Sequence, residues 1–86
     1  MKILSFEQEL DVVLNDLKSL LLEKNAKYGD SALNPKRIFS KSGAEEQILV
    51  RIDDKLSRIQ NGAEDENNVQ DLMGYLVLLS IVRNRE

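Results

Sequence analysis

The sequence predicts an all-α fold: three helices, a long loop between the first and second, and packing as a helical homo-oligomer. Three observations carry this expectation. Proline occurs once and glycine four times in 86 residues, so helix breakers are scarce. Apolar residues recur at helical spacing through three separate stretches. The third stretch is apolar around its whole circumference, which implies burial on all sides, and two other helices of so short a chain cannot surround it.

The first helix is expected from about Phe6 to Tyr28. Ser5 is a good N-cap, and Gln8 three residues on completes a capping box. Phe6, Leu10, Val13, Leu17, Leu20 and Leu21 repeat at helical spacing and are expected to face inward, while Val12, Leu14 and Leu22 widen the apolar surface. Gly29 can take the left-handed conformation that ends a helix. Gly29–Gly43, GDSALNPKRIFSKSG, is the one long irregular segment, a length at which loops are often functional. Within it Asn34-Pro35 signals a short turn of helix, pinned to the core by Leu33, Ile38 and Phe39. Lys36, Arg37 and Lys41 make this loop basic in an acidic chain.

A second helix is expected to start near Gly43 behind a capping box of Ser42 and Glu45, and to close at Asn61-Gly62. Ile48, Leu49, Ile52, Leu56 and Ile59 form its core-facing arc. Arg51, Asp54, Lys55 and Arg58 line one margin of that arc, and Glu46 and Asp53 line the other, so the two polar margins differ in charge sign. Ala63–Asn67 is acidic, which suits the positive end of a following helix dipole. The third helix is expected from about Asn67 to Arg83. Val69, Leu72, Met73, Leu76, Leu79 and Val82 face inward, and Val77, Leu78 and Ile81 cover the remaining circumference. The simplest way to cover such a helix is a second copy of the chain, at least a dimer. Gly74 leaves room for another helix to approach closely. Asn68, Asp71 and Tyr75 fall on one line of this helix and need polar partners, for which Arg51, Lys55 and Arg58 are available.

Composition narrows the chemistry. Cysteine and histidine are absent, which removes disulfides, thiolate metal sites, and Ser–His or Cys–His nucleophile arrangements. Any metal must be held by oxygen, which favours Mg²⁺ or Mn²⁺. A net charge of −3 argues against a duplex nucleic-acid binder. Acids arrive too early in MKILSFEQEL for a signal peptide, and the apolar run Leu72–Val82 is too short to span a bilayer, so a cytoplasmic protein without a membrane partner is expected. No Gly-rich phosphate loop is present, which excludes a P-loop enzyme.

Three polar groups remain: Glu23–Ser31 at the exit of the first helix, the stripe Arg51, Asp54, Lys55, Arg58, and the line Asn68, Asp71, Tyr75. The charged stripe has a plain reading as helix-surface ion pairs, worth roughly 0.2–0.5 kcal/mol each. It has a sharper reading as an anion site, because closely spaced Arg and Lys suit phosphate oxygens. Carboxylates from two helices, Asp54 and Asp71, can hold Mg²⁺ bridging phosphates. Tyr28 at the helix exit can stack on a base. The sharper reading is a nucleotide site between helices, with Lys24, Asn25, Tyr28, Asp30, Arg51, Lys55, Arg58 and Tyr75 as ligand-binding candidates.

KNAKYGDS, ILVRIDDKLSRIQNG and VQDLMGYLVLL together resemble the nucleotide modification associated domain 1 family of phage and bacterial proteins. That family is similar to the all-α, MazG-like nucleotide pyrophosphatases. The resemblance covers about residues 18 to 82 and rests most on Arg51–Arg58 and Lys24–Gly29. It implies a dimerising helical fold, Mg²⁺ held by carboxylates, and hydrolysis of a noncanonical or deoxynucleoside triphosphate to release pyrophosphate, with Glu46 and Asp71 among the catalytic carboxylates and Asp54, by our own inference, standing in for the helix-2 acid that the pattern lacks here. The chain departs from the wider pattern of EExxE followed by ExxD. Leu49 follows Glu45-Glu46 where a third acid is expected, and the second motif reads Asn68-Val-Gln-Asp71. The resemblance therefore speaks more directly for nucleotide binding than for hydrolysis. A protein that sequesters a nucleotide, or an interaction module whose charges only stabilise an oligomer, are the alternatives.

Overall fold

A computed structural model describes residues 3–35, 42–62 and 67–85. These form three helices, α1 (Phe6–Tyr28), α2 (Ala44–Gln60) and α3 (Asn68–Asn84), with no strand among the described residues. Helix α1 has the expected bounds. Gln8 donates its backbone N–H to the Ser5 hydroxyl at 3.2 Å, and the Gln8 side chain accepts from the Ser5 N–H at 2.9 Å. At the other end Gly29 adopts φ 63° and its N–H reaches the Asn25 carbonyl.

Helix α2 starts next to Gly43 as expected, but its expected capping box is not formed. Its N-cap is Gly43 rather than Ser42, and no side chain supplies the cap. Glu45, expected to complete a capping box, instead accepts from Arg83 Nε of α3 at 2.6 Å. Gln47 Nε2 donates to the Ser42 carbonyl at 3.0 Å. Glu45 thus takes part in a partly exposed ion pair between helices rather than in the local motif. The expected helical turn after Pro35, and the acids Glu64, Asp65 and Glu66, lie outside the described residues, as do Ile38, Phe39 and the loop cations Lys36, Arg37 and Lys41.

Helices α2 and α3 form an antiparallel hairpin, as the pairs Glu45–Arg83 and Lys55–Asp71 at its two ends require. Its core is Ile48, Ile52 and Leu79, with Leu72, Tyr75, Leu78 and Val82 packed against it. Helix α1 packs on α3 and not on α2. A Cβ on Gly74 would lie 3.2 Å from Leu21 Cδ2, so the missing side chain sets how closely α1 approaches. With Lys24 facing Asp71 and Leu21 facing Gly74, α1 also runs antiparallel to α3.

Much of the expected core is not covered within one chain. Of the six inward-facing positions expected on α1 only Leu17 is buried, while Phe6, Leu10 and Val13 are exposed. On α2, Leu49, Leu56 and Ile59 are exposed, and on α3 so are Val69 and Leu76. The physical reason is that α1 has a single neighbour and the hairpin is covered on one side only. The radius of gyration is 15.1 Å, against about 12 Å for a compact chain of this length. The accessible surface is 7063 Å², against roughly 5,200 Å² for a compact monomer of this mass. No described helix is long and apolar enough to cross a membrane.

Candidate functional site

The side of the hairpin that α1 covers holds a cleft of about 380 Å³, within the range of about 300–1,000 Å³ usual for small-molecule sites. Its apolar walls are Leu20 and Leu21 from α1 and Leu78 from α3, with Gly74 between them. Its polar groups come from all three helices. Lys24, Asn25 and Tyr28 project from the last two turns of α1, and Asp30 and Ser31 follow in the turn after it. Arg51 comes from α2, and Gln70, Asp71 and Tyr75 come from α3.

Asp71 joins the helices. Lys24 Nζ of α1 donates to Oδ1 at 3.3 Å, and Lys55 Nζ of α2 sits 3.1 Å from Oδ2. The Lys55 side chain is only 14% exposed and that of Asp71 20%, whereas Lys24 is 48% exposed. The sequence argument that a carboxylate on α3 must meet a cation of α2 thus finds its partner in Lys55. Burial raises the Asp71 carboxyl, but hydrogen bonds from Lys55 and Lys24, and their charges, outweigh it and hold the group below its ordinary value of 3.8.

Arg51 is the cation of the cleft without a carboxylate. It lines the pocket, and no ion pair engages it among the described residues. Tyr28 is well exposed, and Lys27 Nζ stands over its ring at 5.5 Å from the centroid.

Seven of the sequence candidates therefore come together: Lys24, Asn25, Tyr28, Asp30, Arg51, Asp71 and Tyr75. Lys55 stands directly behind them on Asp71. Glu46, Asp54 and Arg58 do not line the cleft. Arg58 pairs with Asp54 at 3.3 Å on the exposed surface of α2, both more than half exposed. Register explains this. Lys55 already stands opposite Asp71 in the first turn of α3, so Arg58, almost a turn further on, passes the end of the pocket. Glu46 is exposed in the first turn of α2, far from Asp71 along the hairpin. Asp54, expected as a metal ligand beside Asp71, instead pairs with Arg58 and does not line the cleft that Asp71 lines. Gln70 is a lining residue that pattern reasoning missed, since it stands out neither by spacing nor by charge, and Ser31 lines the cleft as the last residue of the Glu23–Ser31 stretch.

The carboxylates present do not fit a resident Mg²⁺ cage. Among the described residues no three Asp or Glu side chains are gathered for a metal, and Asp71 is already taken by two ammonium groups. Comparison with family models, with curated proteins and with solved structures finds no match.

Proposed function

We propose that this chain binds a nucleotide in the cleft between α1 and the α2/α3 hairpin. The observation that carries this reading is Arg51, an exposed guanidinium lining a concave site with no carboxylate partner among the described residues. Arg presents a planar fork of donors that matches phosphate oxygens. Lys24 adds a second, half-exposed cation nearby. Tyr28 and Tyr75 supply aromatic surface for a base. An apolar-walled pocket with a few convergent polar groups is the usual form of a small-molecule site.

The resemblance to the nucleotide modification associated domain 1 and MazG-like families supports the same ligand class, as it does Mg²⁺ and pyrophosphohydrolysis. Binding without turnover is better supported than hydrolysis, because Asp71 is neutralised by two lysines and Asp54 lies outside the cleft. Mg²⁺ then enters as the companion of the nucleotide's phosphates. The test is calorimetric titration with a panel of nucleoside triphosphates with and without Mg²⁺, alongside a pyrophosphate assay. The expected result is saturable binding with no pyrophosphate release. Pyrophosphate release at enzymatic rates would restore the hydrolase reading, and no binding by any member would remove the nucleotide one.

The proposal includes self-association. Phe6, Leu10, Val13 and Leu14 on α1, and Leu49, Leu56, Val69 and Leu76 on the hairpin, are large apolar side chains left exposed in the single chain. The surface in excess of a compact monomer's, roughly 1,900 Å² per chain, is larger than the 1,000 Å² or so per partner of an obligate interface that buries about 2,000 Å² in total. Sedimentation is expected to give a dimer or larger at micromolar concentration. A stable monomer there would contradict this.

A further inference from the structure

The cleft holds two carboxylates in opposite states. Asp71 is neutralised by Lys24 and Lys55. Asp30 has no cation partner among the described residues, and its side chain meets a neutral amide instead: Asn34 Nδ2 donates to Oδ2 at 2.6 Å. Asp30 is also the one non-glycine residue with positive φ among those described, at 62°. Such conformations cost energy and persist where the surroundings hold them. Here the N–H groups of Leu33 and Asn34 donate to the Asp30 carbonyl at 3.2 and 3.0 Å, and the Asp30 N–H reaches the Asn25 carbonyl at 3.4 Å. The carboxylate is fixed at the wall of the cleft rather than free to swing away.

An unneutralised carboxylate repels phosphate, so it must face a different part of the ligand. The phosphates belong with Arg51 and Lys24. Tyr28 lies one helical turn beyond Lys24, about 6 Å along the axis, and Asp30 follows it two residues on in the chain. A base stacked on the exposed ring of Tyr28 would have its edge within reach of Asp30. A carboxylate only accepts hydrogen bonds, and its two oxygens offer about four acceptor sites, so Oδ2 can accept again beside the Asn34 bond. Guanine presents two adjacent donors on its Watson–Crick edge, N1–H and the N2 amino group, which match a carboxylate fork. Adenine and cytosine each place a ring-nitrogen acceptor beside their amino donor. Uracil and thymine place carbonyls on both sides of their single N–H. Each of these two arrangements sets an acceptor against an acceptor, whereas guanine does not.

Resting on the nucleotide reading of the cleft, we propose that it selects guanine nucleotides and that Asp30 is the residue that sets this specificity. The site then has a phosphate end at Arg51 and Lys24 and a base-reading end at Tyr28 and Asp30.

Calorimetric titration of the full chain with GTP, ATP and ITP tests this, together with the Asp30→Asn variant. Asn tolerates the left-handed conformation, so the turn is kept while the charge and one acceptor are lost. The wild type is expected to bind GTP about tenfold or more tighter than ATP, the scale of one hydrogen bond to a charged group. ITP, which keeps N1–H but lacks the N2 amino group, is expected to fall between them. In Asp30→Asn the GTP affinity should drop to that of ATP, with no loss of ATP affinity. Equal binding of GTP and ATP by the wild type, or an Asn variant that keeps the GTP preference, would overturn the guanine assignment and leave the nucleotide reading standing. Absence of binding by all three nucleotides would overturn both.

Discussion

Replacing Arg51 with alanine is expected to weaken nucleotide binding by about 1.5–3 kcal/mol, the scale of a hydrogen bond to a charged group, or roughly one to two powers of ten in Kd. Stability should change little, because Arg51 is exposed and no ion pair within the chain engages it among the described residues. Arg58→Ala is the matched control. It removes a cation seven residues along the same stripe, but one that pairs with Asp54 at the surface. That pair is an exposed helical neighbour worth a few tenths of a kcal/mol at most, so the control should alter stability by about that much and leave affinity untouched. Equal effects of the two substitutions would mean that the stripe acts as a diffuse basic surface and that the cleft is not the site.

Asp71→Asn is expected to cost about 2 kcal/mol of stability, between the roughly 0–1 kcal/mol of an exposed pair and the roughly 3–5 kcal/mol of breaking a buried one. The intermediate figure follows from the geometry. The Lys55 side, at 14% exposure, loses its partner in a mostly buried setting, whereas the 48% exposed Lys24 regains water. For a domain of this size the loss corresponds to a fall of roughly 8–16 °C in Tm at fixed protein concentration. The pH dependence gives a second reading. The folded-state carboxyl of Asp71 is held below its ordinary value of 3.8, so its contribution is fully present above that value and is lost as the pH falls through the lower folded one. The gap in stability between wild type and Asp71→Asn should therefore be constant from pH 7 to about 5 and close in acid. Denaturant melts across that range check it. A variant as stable as the wild type at pH 7 would place Asp71 in solvent.

How much of this was legible in the sequence depends on how local each signal is. The bounds of α1 follow from Ser5, Gln8 and Gly29, all acting within four residues of their partners, and they are found as expected. The start of α2 near Gly43 is also found, but its capping box is not, and Glu45 pairs instead with Arg83, 38 residues away. Periodicity shows which faces are apolar but not what covers them, so Phe6, Leu10 and Leu56 read as core yet lie open in the single chain. The same limit divides the cation stripe. Arg51, Lys55 and Arg58 share one margin of α2, and only the register against α3 decides that Lys55 meets Asp71, that Arg51 enters the cleft and that Arg58 does not. The Asp71–Lys55 contact was foreseeable because a carboxylate on an otherwise apolar helix must find a cation. The second contact, from Lys24, required knowing where Gly74 lets α1 settle.

The central claim is that the cleft between α1 and the hairpin binds a nucleotide, and amide chemical-shift mapping by NMR tests it most directly. Titrating GTP with Mg²⁺ into isotopically labelled protein is predicted to shift resonances clustered at Lys24–Ala32, Arg51 and Gln70–Tyr75, while Asp54 and Arg58 stay in place. Shifts centred on Asp54 and Arg58, or no shifts at millimolar nucleotide, would contradict the account.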